Sequence, residues 1–175
     1  MDDLVSKAEA FARTQHGNHM YGEHPYAYHL EMVAGIAKNA GASEIQIAAA
    51  WLHDVIEDTS TTKQEVQDLF GSEVAAIVWA LTGIGSTRLE RMTDAIEKIK
   101  ATPGAGLVKL ADRYANVSAS VMDSQTKFAK RYIQEQDMLR PALPQCDLLE
   151  MLEDLVKIAK LSVARKEAEQ GKLSD

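Results

Sequence analysis

The strongest constraint on the fold is the spacing of the apolar residues, which recur every three to four positions along almost the whole chain. This spacing predicts amphipathic α-helices, because a half-buried β-strand needs strict alternation and no segment keeps such alternation for long. The chain is therefore predicted to be all-α. Clusters of Gly, Pro, Ser, Thr and Asn interrupt the pattern and divide it into about seven to nine helices, at residues 17–25, 39–43, 58–62, 82–86, 102–106 and 140–144.

Several helix ends carry recognisable capping residues. Ser43, three residues before a glutamine, is predicted to form a capping box, and Thr61 or Thr62 is predicted to cap the following helix. Pro144 is predicted to open a last long helix over residues 145–170, whose leucines recur at i, i+3 and i+4.

Length and composition indicate one globular unit. The 175 residues are 46% hydrophobic, which suffices for a single core, so one domain is predicted over residues 1–175. Cys146 is the only cysteine and excludes an internal disulfide. The first residues lack the features of a signal peptide, and no run of about 20 apolar residues suggests a membrane span. We therefore expect a soluble cytoplasmic protein without a membrane partner.

The net charge of −7 argues against a nucleic-acid partner. Non-specific affinity for a phosphate backbone comes mainly from clustered Lys and Arg. A small anionic ligand stays compatible with an acidic protein, because a divalent cation and a few basic groups can reverse the potential inside one pocket. The sequence leaves the oligomeric state open.

The segment "AAAWLHDVIEDT" combines an apolar helix with four ionisable groups. On a helix His53 and Glu57 lie one turn apart, and so do Asp54 and Asp58. Carboxylates at the edge of a core need a cation or basic partners. A solvated helix end with one core histidine is the simpler alternative, and the rest of the chain makes it less attractive.

Two other apolar helices supply the same chemistry. "PYAYHLEMVAG" carries His29 and "LVKLADRYANV" carries Asp112, a residue type that is rarely buried without a partner. Together with His53 and Asp54 they would form a mixed nitrogen and oxygen site suited to manganese or iron. The oxygen share makes a structural zinc site less suitable.

Three motifs, "PYAYH", "AAWLHDVIEDT" and "PGAGLVKLADRYANV", together resemble the HD superfamily of metal-dependent phosphohydrolases. Within it the chain most resembles the hydrolase domain of the Rel/Spo alarmone enzymes and the stand-alone small alarmone hydrolases. The resemblance spans about residues 7–123, with the metal-site motifs within 25–116. It implies a single HD-domain helical bundle that helices over residues 124–170 complete.

The resemblance also implies the roles of individual residues in catalysis. The four candidate ligands, His29, His53, Asp54 and Asp112, would bind manganese or another divalent transition metal such as Fe²⁺. Glu57 and Asp58 would serve water activation and proton transfer, which agrees with the ability of a carboxylate one turn away to take a proton from the attacking water.

Substrate contacts are implied at three further positions. Asn116 matches the family asparagine near the nucleotide sugar. Lys109 would serve a substrate phosphate or support the ligand carboxylates. Tyr26 precedes the first ligand and would stack on a base. Tyr28 is the other candidate for this role, and core packing is the alternative for one of the two.

The sequence departs from the family in substrate recognition. Met20 and Tyr21 stand roughly where alarmone hydrolases carry a basic pair, and Leu30 replaces a proline. The arginine that often follows the family asparagine is also absent, since "NVSASV" contains none. Cations that remain available for phosphates are His19, His24, Arg88, Arg91, Lys109, Arg113, Lys130 and Arg131.

The expected function is therefore a (p)ppGpp 3′-pyrophosphohydrolase acting on a small anionic nucleotide. Because no synthetase domain follows, a stand-alone hydrolase is expected. The altered loop leaves open an HD phosphohydrolase for another nucleotide or phosphoester. A non-catalytic nucleotide-binding HD module is a third alternative, but it predicts a lost ligand or a lost Glu-Asp pair, and neither is lost here.

Overall fold

The computed structural model describes residues 3–123 and 125–171, apart from the side chains of residues 170 and 171. This part of the chain forms nine α-helices of eight or more residues and one single-turn helix, so the all-α prediction is confirmed. The helices are α1 (Leu4–His16), α2 (Tyr26–Asn39), α3 (Glu44–Leu52), α4 (Val55–Asp58), α5 (Lys63–Phe70), α6 (Ser72–Leu81), α7 (Arg88–Ala101), α8 (Ala105–Met122), α9 (Thr126–Leu139) and α10 (Asp147–Gly171).

The helix starts follow the predicted capping residues. Ser43 forms a complete capping box before α3, and Thr62 rather than Thr61 forms one before α5. Gly71 follows α5 with a φ of 90°, a conformation that favours glycine. Thr87 and Glu90 form a third box, before α7, that was not predicted.

The prediction that Pro144 opens the last helix is wrong by three residues. Residues 140–142 form a 3₁₀ turn, and α10 begins only at Asp147. The backbone of this connection passes closely over α8, since a Cβ on Gly106 would lie 2.8 Å from the carbonyl oxygen of Ala142. The predicted C-terminal pair over residues 124–170 corresponds to α9 and α10, and residue 124 lies outside the described residues.

The segment predicted as a loop at 17–25 contains a small hairpin. Strand β1 (Met20–Tyr21) pairs antiparallel with β2 (His24–Pro25), with Met20 opposite Pro25 and Tyr21 opposite His24. The backbone N–H of Tyr26 then donates to the carbonyl of His19 over 2.8 Å. This bond ties the hairpin to the first turn of α2.

Helix α3 lies at the centre of the fold and packs against α1, α2, α6 and α8. Ala48, Ala49 and Ala50 are fully buried, and their small side chains let neighbouring helices approach closely. Helix α8 packs against α2, α9 and α10. The candidate ligands lie on α2, on α8 and directly after the end of α3, and these three helices are in mutual contact. Within the described residues, no helix combines the length and the apolar character that crossing a membrane requires.

Candidate metal centre

The dipeptide His53-Asp54 lies in a break between two helices. The sequence predicted a continuous helix here, but α3 ends at Leu52 and α4 begins at Val55. Asp54 has φ −104° and ψ −1°, away from regular helical values. Adjacent side chains of a regular helix project about 100° apart. The break therefore allows two neighbouring residues to reach one point.

Atoms of all four candidate ligands converge at this point. His53 Nε2 lies 2.9 Å and His29 Nε2 3.9 Å from Asp54 Oδ2. Asp112 Oδ1 lies 3.3 Å from His29 Nε2 and 3.7 Å from His53 Nε2. Ligand atoms of His29, His53 and Asp54 all lie within 4.8 Å of one another. Helix α2, the α3–α4 break and α8 thus each contribute to one cluster.

The His53 ring is oriented for metal binding. Its Nδ1 lies 2.8 Å from the carbonyl oxygen of Ala50, which can only accept a hydrogen bond. A proton held on Nδ1 leaves the lone pair on Nε2, which is buried 2.9 Å from Asp54 Oδ2 without the alignment of a hydrogen bond. A metal ion would satisfy this nitrogen.

The charges of the cluster also fit a divalent cation. With both imidazoles in the neutral form that binds a metal, the two carboxylates would give the set a formal charge of −2, and the mixed donors suit a first-row transition ion. Burial lowers the pKa of His53, but the Asp54 carboxylate outweighs burial and raises that pKa to about 9. The negative potential that holds a proton on His53 favours a cation in the same place.

Asp112 is fixed from both sides by residues of its own helix. Lys109 Nζ lies 2.9 Å from Oδ2, and the Asn116 amide donates to Oδ1. Burial raises the pKa of Asp112, but the Lys109 charge and the neighbouring imidazoles outweigh it, so that the pKa lies well below its usual range. Asp112 therefore stays ionised in a site where it is only 7% exposed.

Tyr26 contacts the ligand set directly. Its hydroxyl donates to Asp54 Oδ2 over 2.6 Å. Its ring stacks on His16, with centroids 4.5 Å apart and planes 10° from parallel. The predicted stacking position for a base is thus occupied by His16 on one face of the Tyr26 ring.

Tyr21 covers the site from the hairpin. Its ring stacks on His29 with centroids 4.6 Å apart, and its hydroxyl donates to Asn116 Oδ1 over 3.0 Å. Tyr132 donates to the same oxygen over 3.3 Å. One of the two residues that stand in place of the family's basic pair therefore packs against a candidate ligand.

Glu57 and Asp58 lie at the exposed rim of the cluster. Glu57 Oε2 accepts from the backbone N–H of Gly83 over 3.3 Å. The pKa of each carboxyl is raised, first by partial burial and then by the charge of Asp54. A raised pKa makes each carboxylate a stronger base.

Two cavities flank Asp112. We term the first the basic cavity; its charged lining residues are Glu57, Arg88, Arg91, Lys109, Arg113 and Glu135. We term the second the aromatic cavity; it is lined by Tyr21, Asn116, Phe128 and Tyr132. Lys109 and Asn116, which hold Asp112, each line one of them.

The structure also includes site residues that sequence reasoning missed. His16 and Tyr21 contact Tyr26 and His29, and Glu135 joins Arg88 to Arg113 across the basic cavity. Only a position within the altered loop singled out Tyr21. No motif marked Glu135, because its role arises from contacts between separate helices. The sequence placed His16 in the Gly-rich loop, whereas in the structure it is the last residue of α1 and is buried.

These features define an all-α protein with a buried candidate site for a divalent metal. Known proteins with similar sequences add to this description. The GTP pyrophosphokinase rsh of Brucella ovis is 31% identical over 165 residues, which cover 89% of this chain and 22% of that protein. The guanosine-3′,5′-bis(diphosphate) 3′-pyrophosphohydrolase of Aquifex aeolicus is 37% identical over 120 residues, which cover 65% of this chain and 17% of that protein.

A solved structure is also similar to this chain. A metazoan ortholog of SpoT that hydrolyzes ppGpp matches with a TM-score of 0.71 and 25% identity, covering 90% of this chain and 96% of that one. The chain spans about a fifth of the length of the curated relatives named above. The sequence profile of the HD domain matches residues 8–139, and the chain belongs to the HD domain family. The resemblance inferred from the three motifs is confirmed.

Proposed function

We propose that this chain is a metal-dependent phosphohydrolase that removes the 3′-pyrophosphate from guanosine 3′,5′-bis(diphosphate). The observation that carries the proposal is the convergence of His29, His53, Asp54 and Asp112 in one buried cluster with two basic carboxylates at its rim. The named activities of the Aquifex relative and of the metazoan SpoT ortholog support the substrate. A hydrolase of this intracellular nucleotide would act in the cytoplasm.

The four clustered side chains would hold manganese or ferrous iron. When bound, such an ion polarises a phosphoryl oxygen and lowers the pKa of water. The chain's own residues fix the ligands: Ala50 orients the His53 ring, and Tyr26 holds Asp54. Lys109 and Asn116 fix the Asp112 carboxylate. This support keeps the donor atoms in place before substrate arrives.

Glu57 and Asp58 supply the acid-base chemistry of the proposal. Glu57 accepts a proton from the attacking water as the new P–O bond forms, and the bond from phosphorus to the ribose 3′ oxygen breaks. Asp58, beside Tyr26 and Asp54, orients the water or returns a proton to the leaving oxygen. The products are guanosine diphosphate and pyrophosphate.

The first test measures pyrophosphate release from guanosine tetraphosphate by the manganese-loaded chain and by Asp54→Ala. We expect the variant to fall below about 1% of wild-type turnover, because loss of even an outer-shell partner of a metal ligand costs roughly 10–100-fold. Asp154→Ala, which removes an exposed carboxylate of α10 that pairs with Lys157, is the matched control and keeps wild-type activity. Wild-type turnover by Asp54→Ala with added manganese would contradict the mechanism.

A second candidate keeps the metal chemistry and changes the substrate to another nucleotide or phosphoester. It is favoured by Met20 and Tyr21, since Tyr21 packs on His29 and bonds to Asn116 where the family carries a cation. A panel of phosphorylated metabolites separates the two. Metal-dependent release from another compound, with none from guanosine tetraphosphate, selects this second candidate.

A further inference from the structure

The basic cavity is an unusual feature of an acidic chain. It combines the cations Arg88, Arg91, Lys109 and Arg113 with the carboxylates Glu57 and Glu135, so four positive and two negative groups give a formal charge of +2. The whole chain carries −7. A local reversal of sign inside a recess raises the concentration of small anions there.

The cavity adjoins the candidate metal centre. Lys109 lines it and also contacts Asp112, and Glu57 lines it at the rim of the ligand cluster. A phosphate group held at the ligand cluster therefore has the cavity directly beside it. Its other walls are apolar, including Leu81, Ala95 and Ile96, and a low-dielectric wall strengthens the attraction of an anion.

The cations of the cavity differ in how far they are already engaged. Arg88 and Arg113 both bind Glu135, and Arg113 is buried while its guanidinium lies 4.9 Å from the Tyr132 ring centre. Among the described residues, Arg91 makes one long side-chain hydrogen bond, 3.4 Å, to the carbonyl of Gly85. Arg91 is thus the lining arginine best able to turn its guanidinium to an incoming anion.

The aromatic cavity on the other side of Asp112 has the opposite character. Its described lining includes Tyr21, Phe128 and Tyr132 but no Lys or Arg, and Asp123 contributes a negative charge. A polyanion is therefore favoured on the Lys109 side of Asp112 and disfavoured on the Asn116 side. The contrast between the two cavities therefore favours one orientation of a polyanion bound at Asp112.

We infer that the basic cavity binds the departing pyrophosphate of the substrate, with Arg91, the least engaged of its arginines, as the principal contact. This inference deepens the proposed function and rests on it for the identity of the leaving group. It also accounts for the absence of a basic pair at Met20 and Tyr21, because α7 supplies cations from the other side of the site. Arginine suits this task, since its planar fork can bind two phosphate oxygens at once.

Calorimetric titration of the full chain with inorganic pyrophosphate tests the inference, first without added metal and then with one equivalent of manganese. Arg91→Gln is expected to weaken pyrophosphate binding about tenfold, as loss of one charge-assisted contact implies. Lys100→Gln removes one positive charge from the exposed end of the same helix and is expected to change affinity less than twofold. Arg91→Lys should recover part of the loss, and unfolding temperatures check that each variant is folded.

Equal pyrophosphate affinity in Arg91→Gln and Lys100→Gln, or wild-type binding no tighter than that of sulfate, overturns the inference. Hydrolysis of guanosine tetraphosphate separates this failure from failure of the proposed function. Arg91-dependent pyrophosphate binding without hydrolysis retains an anion site and removes the proposed function. Hydrolysis with an unchanged kcat/KM in Arg91→Gln retains the function and removes the assignment of the cavity to the leaving group.

Discussion

The buried imidazole of His16 illustrates how single side chains are held in this site. His16 is 2% exposed, and neither ring nitrogen has a hydrogen-bond partner among the described residues. Burial lowers its pKa to about 4, against the opposing charge of Asp54, with His19, His29 and His53 lowering it further. The ring is therefore neutral at pH 7 and acts as a flat apolar support for Tyr26.

We predict that His16→Phe reduces the loss of stability in mild acid. The pKa of His16 falls from 6.5 when unfolded to about 4 when folded, so the unfolded chain binds more protons between these values. Stability should therefore decline as pH falls from 6.5 towards 4. Phenylalanine keeps the stack on Tyr26 and removes this proton uptake.

Urea unfolding of the metal-free chain at pH 7 and pH 5 measures the effect. The difference in unfolding free energy between the two pH values should be smaller in His16→Phe than in the wild type. His24→Phe, which changes an exposed histidine stacked on Tyr28, is the matched control and should keep the wild-type difference. An unchanged difference in His16→Phe would contradict the assignment.

The four candidate ligands could be singled out from sequence because their motifs place rare ionisable residues in apolar helical segments, and the structure brings them together. Supporting residues could not, since His16 and Tyr21 act through ring contacts with Tyr26 and His29 that depend on how the hairpin folds onto α2. Asn116 was predicted as a sugar contact, and in the structure its amide already binds Asp112, Tyr21 and Tyr132. Its substrate role stays a prediction.

Glu135 joins three helices. It lies on α9 and binds Arg88 of α7 and Arg113 of α8, the latter through two bonds of 3.0 Å. Burial raises the pKa of Glu135, but the bonds to both arginines outweigh it and lower the pKa below its usual 4.5. The ionised carboxylate holds the wall of the basic cavity together.

We predict that Glu135→Gln lowers the unfolding free energy by about 2 kcal/mol at pH 7, because charge-assisted bonds are lost and buried Arg113 loses its counter-charge. A lowered folded pKa gives stability above pH 4.5 that is lost as pH falls through the folded value. The difference between wild type and variant should therefore shrink below about pH 4.5.

Denaturant unfolding at several pH values measures this contribution. Glu153→Gln is the matched control, because Glu153 forms an exposed pair with Arg140 that is worth at most about 1 kcal/mol. A loss in Glu135→Gln no larger than in the control would show that the cluster does not stabilise the junction of α7, α8 and α9.

The presence of the helices and most of their first residues could be predicted from periodicity and capping residues, as at Ser43 and Thr62. The positions at which helices are interrupted could not be predicted from these local signals. The break at His53-Asp54 has no Gly or Pro to mark it, and the segment before the delayed start of α10 includes the close approach of Ala142 to Gly106. A local pattern predicts an element but not the contacts that shorten it.

At the scale of the whole molecule, an ion bound at the candidate metal site would link helices that are distant in sequence. Residues 29, 54 and 112 belong to different elements whose packing already brings them together. A cation that binds only the folded arrangement adds stability according to its concentration relative to Kd.

We predict that manganese at about 100 times its Kd raises the unfolding temperature by roughly 5–10 °C. Such saturation adds about 2.7 kcal/mol, and each kcal/mol shifts a chain of this size by roughly 2–4 °C. Asp112→Asn should lose most of this shift while Asp154→Ala keeps it. Calcium should give a smaller shift, because it prefers six to eight oxygen ligands. Differential scanning calorimetry with each ion checks this, and equal shifts in both variants would contradict the ligand assignment.

Lys109, Asp112 and Asn116 share one face of α8 and therefore form a single rigid body. If neighbouring helices shift when a nucleotide binds, the Asp112 carboxylate keeps its orientation relative to α8. This orientation does not depend on the positions of the neighbouring helices. The width of the cavities beside Asp112 and the orientation of its carboxylate can then vary separately. Substitutions on α7 or α9 can retune what the cleft accepts without disturbing how α8 presents its carboxylate.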